Sequence, residues 1–216
     1  MTEFIRARSI EQKQRRMSEI TKATDRLFHD YTYHDITLTT IAEALGWSRG
    51  NLYKYVTTKE EIFLELYLEK QNSYFSDIES AFADKDDLTD EEFTNLWTSI
   101  LDKHHDYLRY YGILATIIET NVTIDRLTEF KKTVLSGFNP IIQILTKHCH
   151  CISSDRATTL YWTLLFHACG LNNGCDVNPL VEEAMKLAGL PELKNDFSQN
   201  FRNFMLMCLS HYRHNP

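Results

Sequence analysis

Apolar residues recur at helical spacing along most of this chain. Leu38, Ile41, Ala42 and Leu45 share one face of a short helix through their steps of three, four and seven. Thr37 stands where an N-cap belongs, and Gly46 follows the last apolar residue, where a left-handed backbone costs a residue without a Cβ nothing. Ser48 caps the next helix, which keeps Leu52 and Val56 for a core, and Trp47 before the cap is placed to pack on Leu52 as a hydrophobic staple. Thr58 and Glu61 have the spacing of a capping box for a third helix. Two short helices, a glycine-broken turn and a third helix start, from Thr37 to Phe63, make a helix-turn-helix pattern.

The same spacing organises the rest of the chain. A first helix is predicted from about Glu11 to His29, with Met17, Ile20, Thr24, Leu27 and Phe28 inward, and Tyr31 to Ile36 as the connection. A long helix runs from Thr58 to about Ala83, with Ile62, Leu66, Tyr67 and Phe75 apolar. The acidic stretch from Asp84 to Glu92 reads as a loop, with Thr89 or Asp90 as the next N-cap. Helices then fit Glu91 to Tyr110, Gly112 to Thr120, and Asp125 to Cys149, the last kinked or broken by Pro140. Ser153 or Ser154 caps a helix from Asp155 to Leu171 that Asn172, Asn173 and Gly174 end. A short helix from Pro179 to Ala188 and a final one from Glu192 to Tyr212 complete the series. Only 7 glycines and 4 prolines punctuate the 216 residues, which favours an all-α protein.

Composition adds a direction to this picture. At 43% hydrophobic and 12% aromatic residues the chain has material for a substantial core. Its net charge of −7 is unevenly spread: residues 1–60 hold 10 Lys+Arg against 8 Asp+Glu, whereas residues 61–216 hold 13 against 22. The N-terminal segment alone suits a polyanion, and the acidic remainder would be held away from phosphates. Lys13, Arg15 and Arg16 form a basic beginning that is either a solvated face or a flank for DNA. No apolar run is long enough to span a bilayer, and the start MTEFIRARSIEQKQRR lacks a signal peptide's hydrophobic stretch. The expectation is a cytoplasmic protein, with its 5 cysteines reduced.

The second short helix leaves Arg49, Gly50, Asn51, Tyr53, Lys54 and Tyr55 on faces that need not be buried. Arginine and lysine suit guanine edges or phosphates, asparagine suits adenine, and tyrosine hydroxyls suit phosphate oxygens. Lys59, in the first turn of the third helix, opposes the helix macrodipole, and a nearby anion is its simplest explanation. The string T-x-x-x-I-A, then G-x-S-x-G-x-L-Y-x-Y, then T-K-E-E-I-F resembles the DNA-binding domain of TetR-family transcriptional regulators. With the preceding helix it covers about the first third of the chain. The resemblance implies an N-terminal three-helix DNA-binding head (residues 1–57, with the connecting helix starting at 58) on a helical ligand-binding and dimerisation body (residues 58–216). It implies phosphate contacts at Thr37, Thr39, Ser48, Tyr53, Tyr55 and Lys59, and base contacts at Arg49, Gly50, Asn51 and Lys54. Trp47, Tyr55 and Val56 depart from the family pattern, which usually has a smaller aliphatic residue, a histidine and a phenylalanine there. The bare pattern also fits a helical hairpin whose polar face meets only water.

In the body, Trp97, Leu101, His104 and Leu108 follow at helical spacing, as do Tyr67 and Gln71 on the long helix. With Glu119, Phe138, Trp162 and Phe166 they are the candidate lining of a mostly apolar cavity for an unidentified small-molecule effector. They fit the solid core of a helical bundle equally. The last two long helices are broadly apolar, with Leu160, Tyr161 and Leu164 on one and Phe201, Phe204, Met205 and Cys208 on the other. In a monomer these are core faces. The resemblance implies instead that the two helices pair with their copies in a homodimer, placing two recognition helices on a palindromic double-stranded operator.

Other chemistry is thin. His148, Cys149, His150 and Cys151 are all metal-ligand types, with His167, Cys169 and Cys175 as further candidates. Consecutive helical residues point in different directions, however, so no metal site is assigned. No enzyme signature is present, and His104, His105 and Asp106 are neighbours that cannot assemble around one reacting atom. No catalytic residue and no cofactor is expected. The leading expectation is a repressor released by a small molecule. Its rivals are a DNA-binding regulator governed by a protein partner or by Cys149 and Cys151 as a redox or metal sensor, and a helical enzyme or scaffold whose N-terminal hairpin binds protein.

Overall fold

The computed structural model describes residues 2–149, 153–175, 179–190 and 196–214, and they are helical with no strand among them. Eleven α-helices run in order: α1 (Thr2–Asp30), α2 (Leu38–Ala44), α3 (Arg49–Leu52), α4 (Lys59–Phe82), α5 (Asp90–Leu101), α6 (His105–Ile113), α7 (Ile124–Ser136), α8 (Phe138–His148), α9 (Ser154–Cys175), α10 (Pro179–Leu187) and α11 (Phe197–His214). A 3₁₀ turn (Tyr33–Asp35) joins α1 to α2, and a π-helical stretch (Leu114–Ile118) and a 3₁₀ turn (Glu119–Asn121) lie between α6 and α7.

The backbone divides into two compact units. The first comprises Met1–Glu69 with Leu114–Phe130, the second Lys70–Ile113 with Lys131–Pro216, so α4 contributes to both.

In the first unit Ile20, Phe28, Ile36, Ile41, Leu52, Phe63 and Tyr67 are buried. The Phe28 and Tyr33 rings meet Phe63 edge-on at 5.1 and 5.2 Å, and Tyr67 meets Phe130 at 5.6 Å. Thr24 enters this core because its hydroxyl donates to the Ile20 carbonyl at 2.9 Å, so no hydrogen bond is lost on burial. Met17 and Leu27 are only half-buried, while Thr21 and Ala23 are buried in their place.

In the second unit α9 packs on α6, α8 and α11, and α11 also packs on α5. Its centre is aromatic: Tyr74 stacks on Tyr107 at 5.2 Å, Phe75 meets Phe138 at 5.3 Å, and Phe138 meets Tyr161 at 5.1 Å. The buried hydroxyls of Tyr107 and Tyr161 hydrogen-bond at 3.2 Å.

Several expected boundaries move, each for a local reason. The helix expected from Glu91 to Tyr110 is two, because Asp102 ends α5 and its carboxylate accepts from the Ser198 hydroxyl at 2.8 Å and lies 3.2 Å from His105 Nε2. Gly112 lies inside α6, and the helix expected up to Thr120 loosens into the π-helical stretch along the β-branched run Thr116, Ile117, Ile118. The break expected at Pro140 falls at Gly137: Pro140 sits in the first turn of α8, where its missing N–H would have had no helical partner. Asn172 does not end α9, which continues to Cys175, because its buried amide oxygen accepts from His105 Nδ1 at 2.7 Å. The helix start expected at Glu192 falls outside the described residues, and α11 begins at Phe197.

Candidate nucleic-acid interface

The helix-turn-helix is built from side-chain caps. Thr37 is extended, and its hydroxyl accepts from the Thr40 N–H at 3.1 Å while Thr40 Oγ1 accepts from the Thr37 N–H at 2.9 Å. Gly46 takes φ +66°, a conformation that carries no steric cost without a Cβ, and the chain turns there. The Ser48 hydroxyl accepts from the Asn51 N–H at 3.2 Å and starts α3. A hydrogen bond from the Val56 N–H to the Leu52 carbonyl at 3.3 Å carries the turn to the buried Val56.

Leu52 and Val56 face the core, as do Ile41 and Ala42. What remains outward is Ser48, Arg49, Gly50, Tyr53 and Lys54, all exposed, with Asn51 and Tyr55 half-exposed. Thr37 is exposed and Thr39 half-buried at the start of α2. The structure thus brings the expected DNA-contacting residues onto two capped helix starts and the turn after α3. Arg49 leans on its neighbour, donating to the Tyr53 hydroxyl at 3.1 Å. The Trp47 ring meets Tyr55 at 5.8 Å, and the Arg16 guanidinium lies 5.1 Å over the indole. Two of the departures from the family pattern therefore meet each other.

Two expectations near α4 change. Thr58 caps α4 as expected, its hydroxyl accepting from the Glu61 N–H at 3.4 Å, but the Glu61 carboxylate returns to Thr57 instead, accepting from its N–H at 2.9 Å and its hydroxyl at 2.7 Å. Lys59, for which an anion was the simplest explanation, donates to the backbone carbonyls of Tyr33 at 2.7 Å and Ile36 at 2.6 Å. Sequence spacing gives no sign of this, because the carbonyls lie 26 and 23 residues away.

The residues expected to line an effector cavity fall in both units. Tyr67 belongs to the first unit's core, and Glu119 lies half-buried in that unit. In the second unit Gln71, Trp97, Leu101, His104, Leu108 and Phe138 are buried. His104 Nε2 donates to Asp77 at 2.9 Å, with the Tyr74 ring 5.4 Å away, so it is a satisfied core histidine. Trp162 is half-buried, and Phe166 is 59% exposed, so it points outward. Trp97 and Leu101 line a cavity of about 10 Å³ with Tyr74, Tyr161, Leu164, Leu165 and Phe201, and another of about 20 Å³ lies beside Phe93 and His148. Each holds at most a water molecule.

The residues expected at a dimer face lie mostly inside the single chain. Leu160, Tyr161, Leu164, Phe201 and Met205 are buried within the single chain, where α9 and α11 pack on each other. They are core, and only Phe204 and Cys208 keep partial exposure. The outward side of the two helices carries Phe166 and Met207, at 59% and 65% exposure, and the His167 ring stacks on Phe204 at 3.7 Å.

His148 is hydrogen-bonded to Asp90 at 3.1 Å and stacked on Phe93 at 3.8 Å, and Cys149 is buried; His150 and Cys151 lie outside the described residues. Among the described residues no group of three metal-ligating side chains converges. Nor, among them, is any helix long and apolar enough to cross a membrane.

An all-helical chain whose N-terminal unit carries a capped helix-turn-helix with an outward basic and amide surface defines a DNA-binding transcriptional regulator. The family profile "Bacterial regulatory proteins, tetR family" matches residues 20–66, and "Tetracyclin repressor-like, C-terminal domain" matches residues 68–212. The chain belongs to the TetR family. Its fold is also that of a TetR/AcrR-family transcriptional regulator from Thermobifida fusca YX-ER1, with a TM-score of 0.57 at 16% identity over 92% of this chain and 98% of that one. No curated protein gives a significant sequence match.

Proposed function

We propose that the protein is a homodimeric repressor that holds a palindromic operator through α3 and releases it when a small molecule occupies the second unit. The observation that carries the DNA half of this reading is the outward set Arg49, Gly50, Asn51 and Lys54 on a turn fixed by the Ser48 cap. These residues read base edges, while Thr37, Thr39, Ser48, Tyr53 and Tyr55 hold phosphates. The recognition segment is one helical turn long, so its N-terminal residues carry the readout.

Dimerisation, in this reading, uses the outward face of α9 and α11, with Phe166, Phe204, Met207 and Cys208 meeting their copies. Exposed apolar residues of this size on adjacent helices of one chain support such a face. The effector must favour a state with low operator affinity, since equal affinity for both states shifts nothing. It also has to open the aromatic centre of the second unit, where the cavity between Trp97, Tyr161 and Phe201 holds no more than a water.

The test is selection of bound fragments from the source genome by the full-length protein, followed by competition against random DNA at several salt concentrations. A palindromic site bound far more tightly than random DNA is expected, and Asn51→Ala should relax preference at one base position by about 1–3 kcal/mol. An Asn51→Ala protein with the same base preference as wild type would remove α3 as the reading element.

A further inference from the structure

The first two residues of α4 both close on the connection between α1 and α2. Lys59 Nζ donates to the Tyr33 and Ile36 carbonyls at 2.7 and 2.6 Å and lies 3.8 Å from the centroid of the Tyr33 ring. The Glu60 carboxylate accepts from the Tyr33 hydroxyl. The side chains of Tyr33 and Ile36 are buried, so the connection is gripped at two carbonyls, one hydroxyl and two apolar anchors. The Ile36 carbonyl is one peptide before Thr37, whose hydroxyl and carbonyl take the Thr40 and Ile41 N–H groups at 3.1 and 3.0 Å. The ammonium is half-buried here, and this desolvation holds its pKa below the ordinary lysine value. A cation spent on two carbonyl dipoles over a ring is poorly placed to meet a phosphate as well.

We propose that Lys59 is a positioning residue: it clamps the Tyr33–Ile36 connection so that the Thr37 N-cap is held ready for the operator, and it does not itself contact a phosphate. The inference rests on the reading of Thr37 as a phosphate contact. It separates two roles that a lysine at a DNA-proximal helix start would otherwise merge. A phosphate contact releases a counterion and adds to the salt dependence of binding, whereas a clamp changes affinity and leaves that dependence alone.

The experiment uses the full-length protein, a fluorescent duplex carrying the selected genomic fragment, and a salt titration. Lys59→Met is expected to weaken binding about tenfold with an unchanged slope of log affinity against log salt. Tyr33→Phe, which removes only the bond to Glu60, should weaken binding less, again with the slope unchanged. Thr37→Val should cost less affinity in the Lys59→Met background than in wild type, a coupling that a general loss of stability would not produce. A slope shallower by about 0.9 for Lys59→Met, with no effect of Tyr33→Phe, would overturn the clamp in favour of a direct contact. If Lys59→Met does not fold, Tyr33→Phe and Glu60→Gln carry the same test without removing a cation. Hydrogen exchange at the Thr40 and Ile41 amides needs no DNA: it should quicken in the clamp variants, and unchanged exchange would overturn the proposal. Failure of wild type to hold any selected duplex would instead strike the operator reading, and the exchange result distinguishes the two failures.

Discussion

The Arg49 guanidinium donates to the Tyr53 hydroxyl across 3.1 Å, with its central carbon 5.8 Å from the Tyr53 ring centroid. The two residues are one helical turn apart, so the phenol fixes the arginine's direction before any DNA arrives and reduces the rotamer entropy lost on binding. Arg49→Ala is expected to lose about 1–3 kcal/mol of discrimination at one base pair. Tyr53→Phe keeps the ring, loses the hydrogen bond, and should cost about 0.5–1.5 kcal/mol of affinity. Competition binding with single-base operator variants measures both. Equal preference of Arg49→Ala and wild type at every position would remove the arginine from readout.

Met205 and Met207, two residues apart on α11, face opposite ways: Met205 is buried and Met207 is 65% exposed. Met205→Ala should therefore lower stability by about 2–5 kcal/mol in denaturant unfolding. Met207→Lys should leave the helical circular dichroism intact and yield the monomer mass in sedimentation where wild type gives a dimer. A wild type that sediments as a monomer, or a Met207→Lys protein that stays dimeric, would rule out this face of α11.

What the sequence revealed and what it hid follow the range of the interactions involved. Thr37, Gly46 and Ser48 act on backbone groups within a few residues and are read from spacing alone, as is the α5 cap to within the choice of Thr89, which it is, or Asp90. The apolar set Ile41, Ala42, Leu52 and Val56 is equally local and equally legible. Which side of α9 or α11 is core is not local: Leu160 and Phe166 differ by six positions on a helix that is apolar nearly all round, and only packing against α6, α8 and α11 separates them. The same holds for Lys59 and for Asn172, whose partners come from distant sequence and override what a lysine at a helix start or an asparagine in a helix would suggest.

Glu92 supplies a pH handle on α5. Its carboxylate accepts from the Thr89 N–H at 2.9 Å and hydroxyl at 2.8 Å, and these bonds hold its pKa below the ordinary glutamate value. A carboxyl with a depressed folded-state pKa contributes stability that is fully present above the unfolded value and is lost as pH falls through the folded one. Wild type should therefore melt above Glu92→Gln at neutral pH, and the gap should close on acidification below about pH 4. Thermal unfolding followed across that range checks the sign. A gap that widened in acid would contradict the capping role.

Gly46 and Gly50 should respond in opposite ways to the same added methyl. At Gly46, φ is +66°, so Gly46→Ala is strained although no neighbour crowds the new Cβ, and a loss of about 1 kcal/mol of stability is expected. At Gly50 the backbone is helical, a Cβ meets nothing within 4 Å, and Gly50→Ala should leave the fold unharmed or stabilise it by up to about 1 kcal/mol. Its effect should appear only on DNA, where the methyl occupies space that the recognition turn needs against the groove. Melting temperature and operator affinity measured on the two variants separate the roles. Gly50→Ala binding as tightly as wild type would show that the backbone at this turn does not come close to the bases.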